Sequence, residues 1–167
     1  VPPYPGLRWV AMHMPVYPLT MQAYPRYDDV VDQVRRFLVQ RATAALEAGV
    51  QEVWVDPGIG FGKTTEHNLD LLAHLDLLVA EGFPVLVGTS RKRLTAELLA
   101  RSDAPGRGLG DLSEGLDGSP VGVDERVDAS LATATWAMVH GAQMVRAHDV
   151  SVTAQAATIV SGGFPVS

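Results

Sequence analysis

Three short segments hold the residue types that can do chemistry. The first is Asp56-Pro57-Gly58-Ile59-Gly60-Phe61-Gly62-Lys63. Its end, Gly62-Lys63-Thr64, imitates a nucleotide P-loop, but that motif needs glycine where Pro57 stands. The spacing of Gly58, Gly60 and Gly62 also fails the dinucleotide fingerprint. Two readings stay open for this loop. It is a tight turn that needs positive φ, or it fixes the Asp56 carboxylate at a strand tip. A carboxylate so placed can accept two hydrogen bonds from an amidine-like edge, such as that of an amino-pyrimidinone.

The second segment is Gly88-Thr89-Ser90-Arg91-Lys92. Gly88 would let a flat ligand approach the backbone, and Ser90 and Lys92 stand at a strand-to-helix corner. The plainer alternative makes Ser90 a helix N-cap and Lys92 a solvated side chain. The third is Arg146-Ala147-His148-Asp149, just ahead of a helical pattern. Strand alternation puts Arg146 and His148 on one face. With the N–H groups of a helix start they make the parts of a phosphate or diphosphate site. Only two of the thirteen basic residues are lysines, Lys63 and Lys92, and both fall inside these segments. His67, His74 and His140 lie in helical patterns without such company and are expected to be structural.

The elements that must position these groups alternate. Residues 7–14 form a short apolar run, a strand pattern. Apolar positions recur at helical spacing over 28–48, with Asp28 or Asp29 as cap and Gly49 as stop. Residues 51–55 read as a strand running into the glycine loop. Thr65 can cap a helix that runs to Gly82. Residues 84–88 read as a third strand, followed by a helix opening at Ser90. Residues 102–124 are rich in Gly, Asp, Ser and Pro, a flexible surface excursion. A helix spans about 125–140, a strand 143–147 and a last helix 151–160. Apolar strands alternating with helices mean a parallel sheet covered by helices. Either a doubly wound sheet or part of a (β/α)8 barrel satisfies that pattern, and both place sites after the strands' C-terminal ends.

Composition narrows the classes. At 47% hydrophobic over 167 residues, the chain can bury one sizeable core. A net charge of -6, with acids and bases interspersed, makes nucleic acid an unexpected partner. The absence of cysteine excludes disulfides and thiolate metal sites and fits a reducing cytosol. No apolar run is long enough to span a membrane. The opening Val-Pro-Pro-Tyr-Pro has no secretory signal pattern and no initiator Met, so the chain is expected to begin inside a larger protein.

Taken in order, the motifs resemble the dihydropteroate synthase family. The matching stretches are Met12-His13-Met14, Thr20-Met21-Gln22, Pro25-Arg26-Tyr27-Asp28-Asp29-Val30, the Asp56–Lys63 loop with His67-Asn68, Leu86-Val87-Gly88 with Ser90-Arg91-Lys92, Glu125-Arg126 with Ser130-Leu131-Ala132, and Gly141-Ala142 with Val145-Arg146 and His148-Asp149-Val150. The resemblance implies a single partial domain over residues 1–167, the second half of a pterin-binding (β/α)8 TIM barrel, strands five to eight with their helices. It implies condensation of a dihydropterin methyl diphosphate with p-aminobenzoate, Mg2+ on the diphosphate, inhibition by sulfonamides, a homodimer and a cytoplasmic location. By motif, Asp56, Met12, Gly88 and Lys92 would bind the pterin, Ser90 and Phe61 p-aminobenzoate, and Arg146 and His148 the diphosphate. Lys92, Arg146 and His148 would be the catalytic groups, and no metal ligand is expected in this chain. Lys63 matches a family position and is assigned no chemistry. Pro15-Val16-Tyr17 depart from the family pattern, and the family's first half is not in the chain. A non-catalytic pterin-binding paralogue is therefore the alternative, and a pterin-barrel methyltransferase a remoter one that Ser90-Arg91-Lys92 argues against.

Overall fold

The computed structural model describes residues 6–15, 26–102 and 121–163. Its elements run β1 (Arg8–Met12), α1 (Val30–Glu47), β2 (Glu52–Asp56), α2 (Thr65–Ala73), α3 (Leu75–Val79), β3 (Leu86–Val87), α4 (Arg93–Ser102), α5 (Val127–Val139), β4 (Met144–Val145) and α6 (Val150–Gly163). A 3-10 turn, Val123–Arg126, leads into α5. The alternation expected from periodicity is present. Thr20-Met21-Gln22, Val16-Tyr17 and most of the 102–124 excursion lie outside the described residues.

All strand pairings are parallel. β1 pairs with β2 from Arg8↔Glu52 to Met12↔Asp56, and β3 pairs with β4 through Leu86↔Met144 and Val87↔Val145. One bridge, Val55↔Val85, joins the two ribbons, with Val55 N–H donating to Pro84 O at 2.9 Å. The spatial order is therefore β1-β2-β3-β4, as successive parallel strands with helical crossovers give.

Alternation sets the two faces of this sheet. Val53, Val55, Val85 and Val87 face the helices and are at most 3% exposed. Val34, Leu38 and Ala42 of α1 meet them at helical spacing. Each of these valine and leucine side chains, fully buried, contributes about 1.5–3 kcal/mol. Met12 and Asp56, paired in register, lie on the opposite face at the ends of β1 and β2, and Gly88 and Arg146 directly follow β3 and β4.

Helix ends follow local chemistry. Asp29 caps α1 by accepting from Asp32 N–H at 2.9 Å. Its far end closes as a Schellman motif, with Val50 N–H to Ala45 O at 3.0 Å, Gly49 N–H to Leu46 O at 2.9 Å, and Gly49 at φ +92°. Thr64, not Thr65, caps α2. It exchanges hydrogen bonds with His67, whose ring Nδ1 accepts from Thr64 N–H. The single helix expected up to Gly82 is two, because the chain breaks at His74, whose ring nitrogen sits 2.9 Å from Asp70 O. The third crossover helix opens at Arg93 rather than Ser90.

Candidate functional site

The site lies where the loops after β1, β2, β3 and β4 meet. Asp56 ends β2 and is 2% exposed. Its Oδ1 accepts from Gly58 N–H at 2.7 Å, and its Oδ2 lies 3.8 Å from Arg146 Nη2. Burial raises the Asp56 pKa, while the Gly58 N–H and the charges of Lys92, Arg146 and Lys63 act to lower it. One carboxylate oxygen is thus locked to the backbone and the other is turned toward a half-exposed guanidinium.

The glycine loop is braced from below. Asn68, 3% exposed, accepts from Gly60 N–H at 2.7 Å and donates to Thr64 O at 2.7 Å. Gly60 has φ +81°, and a Cβ there would stand 3.0 Å from Lys92 Cδ. A larger residue would crowd the lysine stem that crosses it. Lys92 Nζ donates to Ile59 O and stands 4.4 Å from the centroid of the Phe61 ring. Burial brings the Lys92 ammonium down to about 8, with Asp56 opposing that fall and Arg146 adding to it.

Ser90, the expected p-aminobenzoate contact, is engaged with His148. Its hydroxyl accepts from His148 N–H at 3.1 Å and shares a hydrogen bond with His148 Nδ1 at 3.0 Å. Ser90 is therefore not the cap of α4. Arg91 occupies the left-handed region at φ 58° and is held on all sides. Its Nε and Nη2 donate to Asp149 Oδ2 and Oδ1 at 3.1 and 2.7 Å, and its Nη1 to Asp124 at 3.0 Å. Its N–H donates to Ser130 Oγ at 2.9 Å, and Arg126 donates to its carbonyl at 3.0 Å. This fork ties the β3 loop to the start of α6 and keeps Ser90 against His148.

The structure brings Asp56, Lys92, Arg146 and the Ser90–His148 pair to one end of the sheet through these contacts. Met12 sits in register with Asp56 and is half-buried. The space over Gly88 is taken by Arg146, since a Cβ there would lie 3.1 Å from the guanidinium's Nε and Nη2. Arg146 and His148 do not share a strand face, because β4 ends at Val145 and both follow it. His67 and His140 are structural, the first in the α2 cap and the second stacked on Trp136 at 4.2 Å. A wide groove of about 940 Å3 lies elsewhere, between α1 and α2–α3 and lined by Tyr27, Asp32, Arg35 and His74. It holds none of the site residues.

Two participants escaped the sequence reading. Lys63 is 4% exposed, with Nζ 3.0 Å from His13 Nδ1 and donating to the carbonyls of Gly58 and Phe61 at 3.0 and 3.1 Å. Arg91 is a brace rather than a surface charge. For Lys63 the available signal was the scarcity of lysine. For Arg91 none was visible, because arginine seldom adopts positive φ.

The chain has relatives. A family profile described as "Pterin binding enzyme" matches residues 4–148. Dihydropteroate synthase of Neisseria meningitidis serogroup C is 42% identical over 148 residues, covering 87% of this chain and 46% of that protein. The Escherichia coli K12 dihydropteroate synthase is 37% identical over 157 residues, covering 93% and 49%. Among solved structures, dihydropteroate synthase of Thermus thermophilus in complex with 4-aminobenzoate superposes with a TM-score of 0.78 at 43% identity, covering 93% of this chain and 56% of that one. The chain spans about half the length of the curated relatives it matches. With that profile covering most of the chain, and Asp56, Lys92 and Arg146 brought together at one end of the sheet, this chain belongs to the pterin-binding enzyme family.

Proposed function

We propose that the chain is the second half, strands five to eight, of a (β/α)8 dihydropteroate synthase barrel. The observation that carries this reading is the convergence of Asp56, Lys92 and Arg146. Asp56 accepts the amino-pyrimidinone edge of the dihydropterin. Met12 and Gly88 line the pterin slot, which requires the Arg146 guanidinium over Gly88 to give way to the ligand, and Lys92 donates to the pterin. Phe61, under the Lys92 ammonium, and Ser90 border p-aminobenzoate. Ser90 must then exchange its present partner, His148, for the arylamine substrate. Arg146 and His148 bind the diphosphate.

In the proposed reaction the bond between the pterin's methylene carbon and the diphosphate oxygen breaks first. The electron pair leaves with the diphosphate; the Arg146 guanidinium neutralises its charge and His148 hydrogen-bonds to it. The p-aminobenzoate nitrogen attacks the pterin-stabilised cation and loses a proton to solvent, giving dihydropteroate and pyrophosphate. The protein's share is orientation and fixed charge rather than a covalent nucleophile. Among the described residues no group of three or more His, Asp or Glu gathers to hold a metal ion. The reading places Mg2+ with the diphosphate, where its charge would help stabilise the leaving group.

The same reading carries a cytoplasmic homodimer. No helix among the described residues is long and apolar enough to cross a membrane. Trp136 and Val139 of α5 and Val150, Val152 and Ile159 of α6 are exposed apolar side chains on the outer helices, the surface such a dimer would cover.

The test is pyrophosphate release by the full-length protein from the dihydropterin diphosphate. Release that requires p-aminobenzoate and Mg2+, yields to sulfonamides, and falls by orders of magnitude in Lys92→Ala and Arg146→Ala establishes the synthase. Pterin binding without turnover establishes instead the non-catalytic paralogue. The 167-residue chain alone is expected to be inactive, and turnover by it would overturn the half-barrel reading.

A further inference from the structure

Lys63 has no place in the reaction just described, yet it is as deeply buried as the sheet. Its Nζ reaches two loops. From the loop leaving β1 come His13 Nδ1 at 3.0 Å and His13 O at 3.4 Å; from the glycine loop come Gly58 O at 3.0 Å and Phe61 O at 3.1 Å. An ammonium has three protons and no acceptor, so three short partners use all of them. The loops touch so closely that a Cβ on Gly58 would stand 1.9 Å from His13 O. Gly58 is thereby held at both ends. Its carbonyl accepts from Lys63, and its N–H donates to Asp56 Oδ1 at 2.7 Å.

We propose that Lys63 is a positioning residue that acts on Asp56 through Gly58 and locks the β1 loop to the glycine loop. Removing the ammonium leaves the Gly58 carbonyl with only its turn bond from Phe61 N–H at 3.1 Å, and loosens the aim of the N–H of the same residue at the carboxylate. Asp56 then loses both a fixed donor and a nearby positive charge. The positioning stands on geometry alone; its consequence for ligand binding rests on Asp56 being the acceptor of the pterin edge.

A pH signature accompanies the geometry. Burial brings the Lys63 ammonium down to about 7, with Asp56 opposing that fall and Lys92 adding to it. Burial and the Lys63 charge bring the His13 ring down to about 4, so His13 is neutral while Lys63 titrates. On losing a proton near neutrality, Lys63 keeps only two donors for its three close partners.

The experiment follows the Gly58 amide and the Asp56 carboxyl by NMR as pH is varied, in the wild type and in Lys63→Met, which keeps most of the side-chain volume. The wild-type Gly58 amide should shift with Asp56 ionisation and again near neutral pH. In Lys63→Met the second step should vanish and the Asp56 midpoint rise by about one unit. Affinity for a free oxidised pterin should fall about tenfold. An unchanged Gly58 amide and Asp56 midpoint in the variant would make Lys63 a space-filler and end the proposal. Should that variant not fold, Lys63→Gln is read the same way, and an unchanged Gly58 amide and Asp56 midpoint there overturn the idea. Coupled titration in a protein that binds no pterin would sink the synthase reading and leave this inference standing.

Discussion

Asp56 and Arg146 face each other across 3.8 Å from opposite ends of the exposure scale, the carboxylate side chain 3% and the guanidinium 58% exposed. A buried anion with a half-exposed cation at that range has an open hydrogen-bonding side that a ligand edge can enter. The two should therefore separate in binding experiments. By calorimetry, Arg146→Ala should weaken pyrophosphate roughly tenfold or more, since a charge-assisted contact is lost. Asp56→Asn should leave pyrophosphate affinity no weaker and remove pterin binding. Parallel losses of both ligands in both variants would show that the residues do not divide the substrate between them.

Two glycines with similar backbone angles predict very different costs. Gly82, at φ +83°, has nothing within 4 Å of where a Cβ would stand, whereas Gly58, at φ +67°, has the His13 carbonyl at 1.9 Å. Gly82→Ala should cost about 1 kcal/mol, from left-handed strain alone. Gly58→Ala should cost about 4 kcal/mol or more, because the β1 loop must move as well. Urea unfolding of both variants measures the contrast.

Stability should depend on pH in two windows. His13, whose folded pKa falls from 6.5 to about 4, binds fewer protons in the folded chain than in the unfolded chain between those values. Stability therefore rises with pH across that range. Lys63 and Lys92, lowered from 10.5 to about 7 and about 8, make it rise again toward alkaline pH. Asp56, with its pKa raised, opposes the rise just above its unfolded value. Urea midpoints should climb from about pH 4.5 to 6.5, and His13→Leu should flatten that climb while lowering stability overall. A wild-type midpoint that falls over this interval contradicts the buried, neutral His13.

The Arg91 fork predicts an order among variants. Arg91→Gly suits the left-handed backbone but loses the bonds to Asp149; Arg91→Ala loses the bonds and keeps the strain. Alanine should be worse than glycine by about 1 kcal/mol. In both, the His148 amide, which donates to Ser90 Oγ at 3.1 Å, should exchange with solvent about tenfold faster. Exchange as slow as in the wild type would mean that the fork does not hold Ser90 against His148.

Much of the frame was legible in the sequence because it rests on period. The apolar spacing of α1 and its Asp29 and Gly49 ends announce a capped helix, and the short apolar runs announce buried strands. Strand lengths were overestimated: residues 84–88 and 143–147 shrink to Leu86–Val87 and Met144–Val145, because residue type does not show where ladder pairing stops. The break at His74 depends on a ring-to-carbonyl contact that periodicity does not register. In the site, Asp56 could be read from its strand-tip position ahead of glycines. The scarcity of lysine marked Lys63 out, but its role could not be read, because three of its four contacts are backbone carbonyls that any sequence supplies. The Ser90–His148 pair joins residues 58 positions apart, beyond the reach of local pattern.

The two ribbons of the sheet meet at a single bridge, Val55↔Val85, and the acceptor Asp56 stands on one ribbon while Arg146 follows the other. Beyond that bridge the two ribbons are tied by side chains, Lys92 reaching Ile59 O and Arg146 approaching Asp56, rather than by a backbone ladder. A ligand gripping both sides would act as a rivet across a soft seam, stiffening the molecule far more than its own few contacts imply. The amide of Val55, which donates across that seam, is where such stiffening would first be felt.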